Sequence, residues 1–69
     1  MDELVFEVTQ EADGGYTAEC LSEDIVTQAD TWDELRANAV EAVRAHHFDS
    51  RLPERIRLHF VRDEVVSPR

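Results

Sequence analysis

The residues whose types suit chemistry in this chain are two adjacent histidines, one cysteine and a pair of glycines. His46, His47 and Asp49 lie close together in sequence and invite a metal reading. Adjacent helical side chains point about 100° apart, however, so neighbouring histidines are badly placed to share one ion. A zinc site also needs a third and fourth ligand at suitable spacing, and the sequence displays none. The expectation is therefore that His46 completes an apolar helical stripe and that His47 meets the last helical carbonyls. His59 is expected to be solvated on a strand. Cys20, the lone cysteine, reads as a small buried hydrophobe. No Ser-His-Asp set can be argued from these positions. Gly14-Gly15 does not stand between a strand and a helix N-terminus, so it is no phosphate cradle. No catalytic, cofactor-binding or metal-binding residue is assigned, and the expected activity is binding rather than catalysis.

Composition narrows what such a binder recognises. Sixty-nine residues make a single domain, 1–69, with a marginal core. One cysteine excludes an internal disulfide, which leaves self-association as the usual way for so small a domain to gain stability. The chain lacks a charged-then-apolar leader and any long apolar run, so a cytoplasmic protein with no membrane contact is expected. Its net charge is −9, unevenly placed. Residues 1–34 hold eleven acids and no Lys or Arg, whereas residues 35–69 hold five acids against seven arginines. An acidic half repels phosphate, so direct nucleic-acid binding is not expected. The same field would steer a basic protein towards it. On charge alone, solubility accounts for the bias equally well.

The elements that position these residues follow from periodicity. Leu4, Phe6 and Val8 alternate with Val5, Glu7 and Thr9, which gives a first strand with one apolar face. Ala12-Asp13-Gly14-Gly15 supplies a hairpin turn, its glycines free to take positive φ. Tyr16 to Leu21 is a second strand, Ser22-Glu23-Asp24 a turn, and Ile25 to Ala29 a third strand, completing an antiparallel meander. The period then changes. Thr31-Trp32-Asp33-Glu34 is a capping box, and Trp32, Leu35, Ala39, Ala42, Val43 and His46 fall on one helical stripe. Asp33 and Glu34 suit the positive end of the helix dipole, and Arg44, His46 and His47 its negative end. After a loop from Asp49 to Pro53, Ile56, Leu58 and Phe60 alternate with Arg57, His59 and Val61 in a fourth strand. The predicted fold is α+β, β-β-β-α-β, with one helix on one sheet face and the fourth strand parallel to the first. The other face, carrying Val5, Glu7, Thr9, Thr17, Glu19, Arg57, His59 and Val61, is mostly polar.

Three stretches in this order resemble the HicB-like antitoxin family. They are Asp13-Gly14-Gly15-Tyr16, Val26-Thr27-Gln28-Ala29-Asp30-Thr31 and the helical Ala37-Asn38-Ala39-Val40-Glu41-Ala42. Ala29 stands where the family carries glycine, and Leu21-Ser22-Glu23-Asp24-Ile25 replaces its Pro-Glu-Leu-Pro-Gly-Cys. The resemblance implies a partial ribonuclease-H-like fold and a role in neutralising HicA, a small basic ribonuclease toxin. Family members also carry a downstream DNA-binding segment, for which these 69 residues leave no room. A ribonuclease-H ancestry further suggests a two-metal carboxylate site, with Glu7, Glu34 or Glu41, and Asp63 as its candidates. Glu34 is already used by the capping box, so this relic nuclease is the losing hypothesis. The leading expectation is an antitoxin-type module that meets a basic partner through Glu7, Glu19, Glu23 and Asp24. Its alternative is a solitary self-assembling scaffold or regulatory protein, a homodimer or homotetramer, with Trp32, Phe48 and Arg57 as contacts because aromatic and arginine residues anchor interfaces.

Overall fold

A computed structural model describes residues 3–62 and 64–69. Four strands and one helix follow in the order β1 (Glu3–Gln10), β2 (Tyr16–Cys20), β3 (Val26–Ala29), α1 (Trp32–His46) and β4 (Arg55–Val61). They form one sheet in the order β3-β2-β1-β4. The β1–β2 and β2–β3 pairs are antiparallel, and β4 runs parallel to β1. The predicted β-β-β-α-β architecture is therefore the observed one, including the parallel return of the last strand.

Register explains why one face of this sheet is apolar. Leu4, Phe6 and Val8 stand beside Ile56, Leu58 and Phe60 across the parallel pair, while Phe6 and Val8 stand opposite Cys20 and Ala18. Because strand side chains alternate, all of them project to the face that carries α1. Leu35, Ala39 and Val43, four residues apart, are the buried row of the helix. The core cluster joins Leu4, Phe6, Val8, Ala18, Cys20, Ile25, Leu35 and Val43. Trp32 and Ala42 pack on its margin.

Capping and turn chemistry fix the ends of these elements. Thr31 has extended backbone angles, and its hydroxyl oxygen accepts a hydrogen bond from the Glu34 amide at 3.2 Å. The Glu34 carboxylate does not reach the Thr31 amide as a full capping box requires; it accepts instead from the Thr31 hydroxyl at 3.0 Å. In the β1–β2 connection, the Glu11 amide donates to the Gly15 carbonyl at 2.7 Å, and Gly14 sits at φ +96°. That conformation is open to glycine at little steric expense. Asn38 ties the helix to the sheet by donating to the Gln28 carbonyl at 3.0 Å.

Two boundaries differ from the sequence reading. Leu21 lies past the end of β2 and is exposed, since alternation after buried Cys20 turns it away from the helix. Ile25 lies just before β3 yet is buried. A larger difference concerns the helix position. Helix α1 runs over β3 and β2 and leaves β4 largely uncovered. Ile56 and Leu58 are consequently only half-buried and Phe60 is 40% exposed.

Candidate functional site

The division of charge along the sequence becomes a division across the sheet. On the open face, Glu7 stands between Glu19 on β2 and His59 on β4. Both glutamates are exposed. β4 contributes Arg55 and Arg57 on its own side of this face. The seam is Glu3, which receives two hydrogen bonds from Arg57 at 3.0 and 3.2 Å and an ion pair from Arg55 at 3.4 Å. Hydrogen bonding and attraction from Arg57, with a smaller contribution from Arg55, hold the Glu3 carboxyl below its ordinary pKa. The same pairing raises Arg57 above its ordinary value.

An acidic groove of about 430 Å³ adjoins the open face at the hairpin end of β2 and β3. Glu11, Asp13, Asp30 and Glu34 supply its carboxylates, and Thr17 and Gln28 connect it with the open face. Sequence reasoning missed this groove because its acids come from a hairpin, a strand end and a helix start, which only the tertiary fold brings together.

The four glutamate and aspartate residues expected to meet a partner do not form one patch. Glu7 and Glu19 are direct cross-strand neighbours. Asp24 is exposed in the β2–β3 turn. Glu23 instead turns to the end of the helix, where its Oε1 lies 3.2 Å from His46 Nε2 and 2.7 Å from His47 Nε2. This corrects the expected places of both histidines. His46 is exposed and does not finish the apolar stripe. The His47 ring contacts Glu23 and the Ser50 hydroxyl, and only its backbone amide bonds a helical carbonyl, that of Val43.

Trp32, Phe48 and Arg57 are likewise dispersed. Trp32 makes edge-to-face contacts with Tyr16 and Phe60, at centroid distances of 5.5 and 5.8 Å. Phe48 is 84% exposed beyond the opposite end of the helix. Arg57 projects from the open face and is engaged by Glu3. The suggested two-metal arrangement meets a topological obstacle. Glu7 is on the open face, whereas Glu34 and Glu41 belong to the helix covering the other face; Asp63 lies outside the described residues. Cys20 is buried, with its sulfur 3.9 Å from the Ser22 hydroxyl. Among the described residues no helix is long and apolar enough to cross a membrane.

These features define a small α+β domain with a one-sided helical cover and an open sheet face divided into acidic and basic parts. The chain belongs to the UPF0150 family. It is 37% identical over 65 residues to a UPF0150 protein of Thermotoga maritima, an alignment spanning 94% of this chain and 91% of that protein. No protein-family model and no solved structure matches the chain.

Proposed function

We propose that this protein is a non-catalytic binding module of the HicB antitoxin type, which holds a small basic ribonuclease toxin against its acidic surface in the cytoplasm. The observation that carries this reading is the Glu7–Glu19 pair. Two carboxylates stand side by side on an exposed face, where like charges directly opposite each other disfavour the sheet. Close by, the groove around Glu11, Asp13, Asp30 and Glu34 extends the negative surface. A basic partner would turn this repulsion into attraction, and long-range steering would speed its arrival. The order of elements and the three stretches resembling the HicB-like pattern support the same class of partner.

A second reading, self-assembly, is favoured by a separate observation. β4 is an outer strand of seven residues whose apolar row, Ile56, Leu58 and Phe60, is only partly covered. Such an edge is a ready template for strand pairing. Antiparallel pairing of two β4 strands about Leu58 would continue the sheet into a second copy.

Recovery of the tagged protein from its own cell lysate, at low and high salt, separates these readings. Co-recovery of a small basic protein that high salt releases, and that a Glu7→Lys/Glu19→Lys variant fails to retain, is the expected result. Recovery of the protein with only itself, at fixed stoichiometry, would favour self-assembly through β4 and refute the toxin-binding reading.

A further inference from the structure

We infer that Glu23, His46 and His47 form a binding site for a divalent transition metal of the zinc type, fastening the β2–β3 turn to the C-terminal end of α1. Their ligand atoms all lie within 4.8 Å of one another. The distances from Glu23 Oε1 to the two imidazole nitrogens are 3.2 and 2.7 Å. Zinc bonds of about 2.0–2.2 Å in tetrahedral geometry place neighbouring donors roughly 3.3 Å apart, so small side-chain rotations complete the fit. Two imidazoles and one carboxylate are a familiar donor set for zinc, and for other late first-row ions.

Three features distinguish this cluster from an ordinary ion pair. First, the Nε2 atoms of both rings lie within 3.2 Å of the same carboxylate oxygen, that of His47 in a hydrogen bond to it. Second, the chain leaves helical geometry where the histidines occur. His46 is the last helical residue, and His47 is the C-cap at φ −110°, ψ 27°. This departure lets adjacent residues converge, which a regular helix opposes. Third, His47 Nδ1 is 3.2 Å from the Ser50 hydroxyl, and the Ser50 amide donates to the His47 carbonyl at 3.1 Å. A hydrogen bond on the second ring nitrogen is how metal-binding histidines are commonly oriented, leaving the first nitrogen for the ion.

Exposure fits an open site. The Glu23 and His47 side chains are 20% and 17% exposed, and His46 is 42% exposed on the outer side. Solvent can therefore occupy the remaining coordination position. Arg51 lines the adjacent small cleft with Leu4 and Pro53; its positive charge opposes the ion and limits affinity. The site joins residues 24 positions apart in a chain with one cysteine. A metal bridge would supply the cross-link that a disulfide cannot.

The test is a titration of the chelator-treated full-length protein with Zn²⁺ by calorimetry, paired with Co²⁺ visible spectroscopy and thermal melts. Saturable one-to-one binding is expected, with the intense ligand-field bands of four- or five-coordinate Co²⁺. At a hundredfold excess of Zn²⁺ over Kd, the melting temperature should rise by roughly 10–20 °C. His46→Ala, at the exposed ligand, should retain the fold and lose affinity roughly tenfold or more, and Glu23→Gln should do the same. Absence of saturable Zn²⁺ binding, or equal affinity in the wild type and the His46→Ala variant, would overturn the assignment.

Discussion

Replacing Glu19 with lysine should stabilise the folded protein while weakening its hold on a basic partner. Glu19 and Glu7 are paired across β1 and β2, and both are exposed. Two unit charges about 6 Å apart interact by about 0.7 kcal/mol in water. At physiological salt the Debye length of about 8 Å reduces this to about 0.3 kcal/mol. Charge reversal exchanges repulsion for a similar attraction, so the predicted gain is about 0.7 kcal/mol. For a domain of this size the melting temperature should rise by about 3–5 °C. At about 0.01 M salt the gain should approach about 1.1 kcal/mol, and at about 1 M it should nearly vanish. Thermal melts followed by circular dichroism at these three salts measure it, with Glu19→Gln giving roughly half the shift. A destabilised Glu19→Lys variant, or a shift of equal size at every salt, would refute the reasoning. The opposite signs for stability and binding matter, since unfolding cannot then explain lost binding. Glu23 is less suitable for this test, because its substitution also disturbs His46 and His47.

Further expectations concern the core and the seam between the charged parts of the sheet. Leu35→Ala should remove about 2–5 kcal/mol, because Leu35 is fully buried in the helix–sheet core. Measured by urea denaturation, this is a large share of the roughly 3–10 kcal/mol available to a domain this small. Glu3 has a lowered pKa in the fold, so its contribution to stability is complete above its ordinary carboxyl value and is lost as pH falls through the lowered one. Glu3→Gln should therefore reduce stability at neutral pH and flatten the acid limb of the stability profile; an unchanged acid limb would contradict this.

The elements were legible in the sequence wherever a local rule was sufficient. Leu4, Phe6 and Val8 mark the buried face of β1 by alternation alone, and Thr31 marks the helix start by its capping chemistry. The pairing of β4 with β1 could also be read, because their apolar rows have the same period. What no local rule supplies is the lateral position of the helix. Phe60 has the pattern of a covered residue, yet α1 lies over β2 and β3 and leaves it partly exposed. Glu23 illustrates the same limit at the candidate site. Its sequence context is a polar turn, and its contact with His47 across 24 positions exists only after the meander and helix have packed. Ser50 and the C-cap geometry at His47 then determine how the neighbouring rings converge.

The proposed acidic binding face is tested most directly by methyl NMR of the labelled protein during titration with its captured basic partner. Val5 and Val26 report from the open face, while Ile56 and Leu58 report from the helix-covered face beside the free β4 edge. The expected result is perturbation concentrated at Val5 and Val26, diminished by salt and by Glu7→Lys/Glu19→Lys. Perturbation concentrated at Ile56 and Leu58, with Val5 and Val26 unmoved, would contradict the account and locate the interface at β4.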